Sequence, residues 1–256
     1  MTALDIHQIP VLNDNYVYLA RDPGSGACAV VDPAVAKPVL AALDKQGWTL
    51  THILNTHHHM DHVGGNLELK AVTGCTVVGF ANDADRIPGI DVRVREGDQV
   101  ALGDCVGQVF EVPGHTRGHI AYWFAESHAL FCGDTLFSMG CGRLFEGTPD
   151  QMWRSLGKIR GLPDETLIYC AHEYTNSNAD FALTVEPDNP DLRARADQVL
   201  ALRQAGRPTV PSTLALERRT NPFLRADAPE LLAAAGLAGR DPVSAFAEIR
   251  RRKDNF

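Results

Sequence analysis

The alternation of apolar and polar positions divides the chain into two stretches of different character. Over the first two thirds, short runs rich in Val, Ile, Tyr and Phe end at Gly, Pro, Asp or Asn, a pattern of strands and turns. It predicts strands at Tyr16–Leu19, Ala27–Val31, Ile53–Asn55, Thr76–Phe80, Gln108–Val112, Ala121–Phe124, Leu130–Cys132 and Leu167–Cys170. Elsewhere the apolar spacing lengthens to three. Leu40 with Leu43, and Trp153 with Leu156 and Ile159, form stripes on helices predicted at Lys37–Gln46 and Asp150–Ile159. Strands with interleaved helices imply an α/β core, a sheet covered by helices. After His172 the strand signals stop. Ala-, Leu- and Arg-rich segments at Ala179–Phe181, Pro190–Gln204, Pro229–Ala235 and Pro242–Arg252 carry helical periodicity. Pro187 and Pro190 suit a helix entry, and Asp241-Pro242 reads as an N-cap followed by Pro at the first helical position. The expected organisation is one domain over residues 1–172 and a helical one over 173–256.

Composition narrows the class. A chain of 256 residues with 45% hydrophobic content has the material for a packed core. Its net charge of −8 argues against broad nucleic-acid binding, while a few clustered cations still allow a small anionic ligand. Met1–Ala20 shows no secretory signal, and nothing approaches the roughly 18 apolar residues of a membrane span. The six cysteines form no C-x-x-C pair, which suits free thiols in a reducing cytoplasm.

The candidate chemistry lies at the strand ends. His57, His59, Asp61 and His62 follow Ile53–Asn55 and read as a loop. His115 follows Gln108–Val112, Asp134 follows Leu130–Cys132, and His172 follows Leu167–Cys170. Loops from one sheet edge converge readily on a shared site. Imidazole and carboxylate are ligands for zinc, iron or manganese, and the absence of paired cysteines argues against a thiolate site. Five imidazoles and two carboxylates exceed the needs of one tetrahedral ion and suit two ions bridged by a carboxylate and a water or hydroxide. His58, flanked by inward-facing neighbours, is expected to point away. His7, His52, His119 and His128 read as ordinary surface or core histidines.

The string Thr56-His57-His58-His59-Met60-Asp61-His62 resembles the T-H-x-H-x-D-H signature of the metallo-β-lactamase superfamily. The likeness extends to Val30-Val31-Asp32-Pro33, Pro113-Gly114-His115-Thr116 and Gly133-Asp134-Thr135. It implies an αββα sandwich with a C-terminal helical domain. It also implies one metal held by His57, His59 and His115, a second by Asp61, His62 and His172, and Asp134 bridging both. Asp32 would be a buried supporting carboxylate.

Further segments are similar to glyoxalase II, the hydroxyacylglutathione hydrolases. They are Gly140–Thr148, Ala171–Thr175, Val185–Pro190, Pro208–Thr213, Asn221-Pro222-Phe223 and the terminal Arg250-x-x-Lys253-Asp254. That resemblance implies a dinuclear enzyme, with zinc first and iron or manganese as alternatives. It would hydrolyse S-D-lactoylglutathione to D-lactate and glutathione, the second step of methylglyoxal detoxification. A hydroxide bridging the two ions would attack the thioester, with Asp61 and Asp134 as catalytic carboxylates. Arg143, Tyr174, Asn178, Arg250 and Lys253 would line the glutathione site. By composition alone, a basic final helix turn equally reads as a solvated complement to the helix dipole. Arg143 stands where many members have Lys, and Phe145 where many have Tyr, so a hydroxyl contact to the peptide is lost. The competing readings are a glutathione persulfide dioxygenase with a single iron and a non-catalytic metal-binding module. The expected partner is a glutathione thioester, with no nucleic acid and no membrane, for a cytoplasmic monomer.

Overall fold

The computed structural model describes residues 3–256, and its chain packs as two compact units. The first comprises residues up to Glu111 together with Gly118–Gly133, and the second Val112–Arg117 together with Asp134–Phe256.

The first unit opens with β1 (Asp5–Val11), β2 (Asn15–Arg21) and β3 (Cys28–Val31), then α1 (Ala36–Gln46) and β4 (His52–Leu54). It continues through α2 (Met60–Val63), α3 (Asn66–Thr73), β5 (Thr76–Phe80), a 3₁₀ turn at Ala81–Arg86 and β6 (Val92–Val94). A meander of β7 (Gln99–Leu102), β8 (Cys105–Glu111), β9 (Ile120–Phe124) and β10 (Ala129–Gly133) completes it. β1 to β6 form one sheet in sequence order, antiparallel through β3 and parallel from β3 to β6. β7 to β10 pair antiparallel.

Period-two alternation explains the layering. Val17 and Leu19 of β2 join Val30, Ile53 and Val77 in a core closed by Val39 and Leu43 of α1 and Leu69 of α3. Tyr18, on the opposite face of β2, meets Phe131 of the meander with ring centroids 5.8 Å apart. Gly47 ends α1 in the left-handed conformation at φ 66°, the usual helix stop. β1 is absent from the sequence reading because Pro10 interrupts it, and Pro is tolerated there because β1 is an edge strand.

The parallel strands decide where chemistry can gather. β3, β4 and β5 all point one way, so the residues after each reach the same sheet edge. Asp32 follows β3, Asn55 to His57 follow β4, and the 3₁₀ turn follows β5. Ligand sites of open α/β sheets lie beyond such carboxyl ends.

The second unit holds the short pair β11 (Leu136–Phe137) and β12 (Gly140–Cys141), followed by α4 (Pro149–Arg160) and β13 (Leu167–Cys170). The rest is α5 (Thr175–Val185), α6 (Pro190–Gln204), β14 (Ser212–Thr213), α7 (Leu214–Thr220), a 3₁₀ turn at Pro222–Leu224, α8 (Pro229–Ala234) and α9 (Pro242–Asp254). The helices start where the sequence signals them. Thr148 and Gln151 form a reciprocal capping box on α4, Asn189 caps α6, and Asp241 caps α9, each ahead of a Pro. Phe223 packs against Phe181 and Phe246 at 6.1 and 5.8 Å to form the aromatic centre.

Beside it lies Glu217, fully buried, whose carboxylate accepts from Ser138 Oγ, Met139 N, Ser212 Oγ and Asn221 Nδ2 at 2.6–3.1 Å. No helix among the described residues is long and apolar enough to cross a membrane. All six cysteines are buried free thiols. Burial pushes those of Cys28 and Cys170 up to about 12 and that of Cys141 to about 11. Removing the Glu217 carboxylate would strand the hydroxyls of Ser138 and Ser212 and the Met139 amide, while Asn221 keeps its bonds to Phe137 O and Gly140 O, so Glu217→Ala should lower unfolding stability by about 3 kcal/mol or more in urea titrations.

Candidate metal centre

The first unit brings His57, His59, Asp61, His62 and Asp32 together. Asp32 is buried and sits in the left-handed region at φ 50°, which Asp tolerates better than most residues. Its carboxylate accepts from Thr56 N at 2.7 Å, Thr56 Oγ1 at 2.6 Å and His62 Nδ1 at 3.1 Å.

These bonds set ring tautomers by elimination. The Thr56 hydroxyl gives its proton to Asp32, so it accepts from His57 Nδ1, 3.1 Å away. His62 likewise donates through Nδ1. Both rings are therefore left with an Nε2 lone pair, the form that ligates a metal. His57 Nε2 faces His59 Nδ1 at 3.1 Å. His62 Nε2 lies 3.5 Å from Asp61 Oδ2, and the same oxygen accepts from the buried Asn15 Nδ2 at 3.0 Å.

The ligand-type atoms of Asp32, His57 and His62 also lie within 4.8 Å of one another. Asp32 is nevertheless a support rather than a ligand, because Thr56 and His62 already occupy its oxygens. Asp61 and His62 sit on the one-turn helix α2 rather than on a loop, so Asp61 and His62 leave consecutive positions of a helix start. His58 turns to Asp83 and Arg86, away from its neighbours' focus. Among the remaining histidines, buried His119 stacks on His57 at 4.6 Å, and His52 bonds Thr51.

The second unit brings together His115, Asp134 and His172. His115 Nδ1 donates to Arg143 O at 2.9 Å, again leaving Nε2 as the lone-pair nitrogen. Asp134 places Oδ2 at 3.4 Å from His115 Nε2 and Oδ1 at 3.4 Å from His172 Nε2. One carboxylate thus offers an oxygen to each of two imidazoles, as a bridging ligand does. Gly142 makes the approach possible, since a methyl there would overlap the Asp134 carbonyl and crowd His115 Nδ1 at 3.1 Å. Ser155 Oγ donates to Pro113 O at 2.7 Å and ties the His115 segment to α4. The donor set in both units is imidazole and carboxylate, which fits divalent metal ions.

Tyr174 stacks flat on His172, with centroids 4.7 Å apart and planes 4° from parallel. Asn178 is buried, donates to Ser138 O at 3.1 Å and backs the β12 hairpin. Arg250, also buried, donates to Cys141 O at 2.9 Å and pairs with Asp254 at 2.8 Å. Lys253 Nζ donates to Ser177 O at 2.9 Å. Burial, then the charge of Arg250, brings the Lys253 amine down to about 8 against an opposing pull from Asp180, with Arg143 adding a little more. Arg143 and Phe145 are exposed, with the Phe145 ring edge-on to His115 at 5.2 Å.

Residues 11–172 match the metallo-beta-lactamase superfamily, and residues 173–256 match the hydroxyacylglutathione hydrolase C-terminus. A hydroxyacylglutathione hydrolase of Rhodospirillum rubrum is 64% identical over 256 residues, all of both chains. The chain belongs to the hydroxyacylglutathione hydrolase family.

Its fold is accordingly the metallo-β-lactamase α/β sandwich with a C-terminal helical domain. The crystal structure of ETHE1 from Myxococcus xanthus is 29% identical at a TM-score of 0.70, covering 96% of this chain and 90% of that one. That of TTHA1623 in a di-iron-bound form is 25% identical at a TM-score of 0.62, covering 84% and 98%. The chain therefore carries the histidine and aspartate clusters of its superfamily. The sequence reading missed Asn15, which bonds Asp61, Asp83 and Arg86, which face His58, and Gly142, which lies against Asp134 and His115. Asp32→Asn removes the charge that sets two ring tautomers, so metal affinity measured by chelator competition should fall about 10- to 100-fold.

Proposed function

We propose that the chain hydrolyses S-D-lactoylglutathione and related 2-hydroxyacylglutathione thioesters to the hydroxy acid and glutathione. The match to a relative of that name over the whole chain, helical part included, carries this reading. Following the family resemblance, His57, His59 and His115 would hold one metal ion and Asp61, His62 and His172 a second, with Asp134 between them. Zinc is the first candidate, and iron or manganese suits the same donors. Metal ions held there would lower the pKa of a bound water toward about 7 and polarise the thioester carbonyl.

The residues of the chain supply the rest. Asp61, with one oxygen held by Asn15, and Asp134 orient the attacking water and receive its proton. A thiol of pKa roughly 8.5 leaves as thiolate without a strong acid, so no further proton donor is needed. Arg143 and Lys253 pair with the carboxylates of glutathione, with Arg250 adding charge from beneath the β12 hairpin. Tyr174 and Asn178 form the pocket wall. Phe145 offers an aromatic face but no hydroxyl, which weakens the hold on the peptide without changing the reaction.

The functional division lies near residue 173, with the metal-binding histidines and aspartates before it and most of the glutathione contacts, Arg143 and Phe145 apart, after it. The reading is completed by a cytoplasmic monomer without a nucleic-acid partner. Six reduced thiols suit the compartment, and the acidic charge disfavours nucleic acid.

Purified protein should turn over S-D-lactoylglutathione with about two metals per chain, lose activity to a chelator and regain it with zinc. A fully metallated protein that leaves the thioester intact, or that consumes oxygen on glutathione persulfide, would overturn the reading. Lys253 is charged below about 8 and neutral above it. KM should therefore climb as pH passes through that value while kcat holds, and Lys253→Arg should abolish the climb.

A further inference from the structure

His58 is the one member of the His57–His59 run that faces away from the proposed metals, and its partners form a ring of close contacts. Arg86 Nη1 lies 3.0 Å from His58 Nε2. A guanidinium only donates, so Nε2 accepts and the ring proton sits on Nδ1. That Nδ1 stands 3.0 Å from Asp83 Oδ2, a polar contact that lacks hydrogen-bond alignment. Arg86 Nε completes the ring by donating to Asp83 Oδ1 at 2.6 Å.

Asp83 is only 5% exposed and has little room to move. The backbone of Gly118 presses on it so closely that a Cβ there would stand 2.5–2.6 Å from its side-chain atoms. The 3₁₀ turn bearing Asp83 and Arg86 continues directly from β5, which pairs with β4, the strand that delivers His57. The ring is therefore anchored to the same sheet edge as the ligand residues.

We propose that Asp83 and Arg86 are positioning residues for the metal ligands. By gripping the central imidazole from behind, they fix the backbone between His57 and His59. Their facing nitrogens, 3.1 Å apart, are thereby held toward a common point before any ion arrives. Without the grip the segment keeps its rotational freedom, and ordering it is charged against metal binding. Neither residue touches metal or substrate, so both act through His58. The inference rests on the metal-centre reading above.

The test uses the full chain and zinc, with affinity read by competition with a chromophoric chelator and folding of the metal-free protein checked by thermal melting. Asp83→Asn, Arg86→Gln and His58→Ala should each weaken zinc binding about ten-fold, the low end for residues that orient metal ligands. Arg86→Gln added to His58→Ala should produce no further loss, because the route through His58 is already cut. Arg86→Lys, which keeps a donor, should recover most of the affinity. A purely structural role would lower the melting temperature of the metal-free protein and leave the affinity of the folded fraction unchanged. Arg86 is 34% exposed, so its variants remain informative if Asp83→Asn does not fold. Zinc affinities within two-fold of the unchanged protein, or fully additive losses in the double variant, would overturn the proposal. Failure of the unchanged protein to bind zinc would instead overturn the metal-centre reading itself.

Discussion

A single buried carboxylate organises the histidine cluster of the first unit. Asp32 is nearly inaccessible and holds a left-handed backbone, both costly features for an acidic side chain. Three short donors offset the cost, two from Thr56 and one from His62. The charge does more than satisfy them. It draws the Thr56 proton inward, which obliges His57 to donate through Nδ1, and it takes the Nδ1 proton of His62 directly. Two imidazoles are thus presented in the same protonation form by one carboxylate. The arrangement needs β3 and β4 to be parallel neighbours, because only then do Asp32 and Thr56 emerge side by side.

In the second unit a short hairpin has the equivalent part. Arg143, two residues beyond β12, fixes His115 through its carbonyl, and the β11–β12 hairpin before it is held from several sides. Glu217 binds Ser138 and Met139, Asn221 donates to Phe137 O and Gly140 O, and Arg250 donates to Cys141 O. The helices after residue 173 therefore brace this hairpin. Their buried polar groups set the position of the segment that orients one of the histidines.

Much of this was legible in the sequence. The strands flanking the ligand-type residues stand out because alternation and turn residues are local signals. Two helix starts do too, since Pro190 and the Asp241-Pro242 pair act within a few positions. The supporting residues were not legible, because each works across a long separation. Asn15 reaches Asp61 over 46 residues and Arg86 reaches His58 over 28. Gly142 gives no sign of its purpose until Asp134 and His115 are seen beside it. α2 is too short to show a period, and Pro10 hides β1 until its place at the sheet edge is known.

The buried cysteines bear on the company this protein keeps. Thiol exchange proceeds through the thiolate, and an acidity near 11 or 12 leaves almost none at neutral pH. Cys28, Cys141 and Cys170 are also buried, so a small-molecule disulfide has no line of approach to them. Towards such disulfides these side chains are chemically silent. A released thiol that later oxidises to its disulfide would find none of the three ready to form a mixed disulfide.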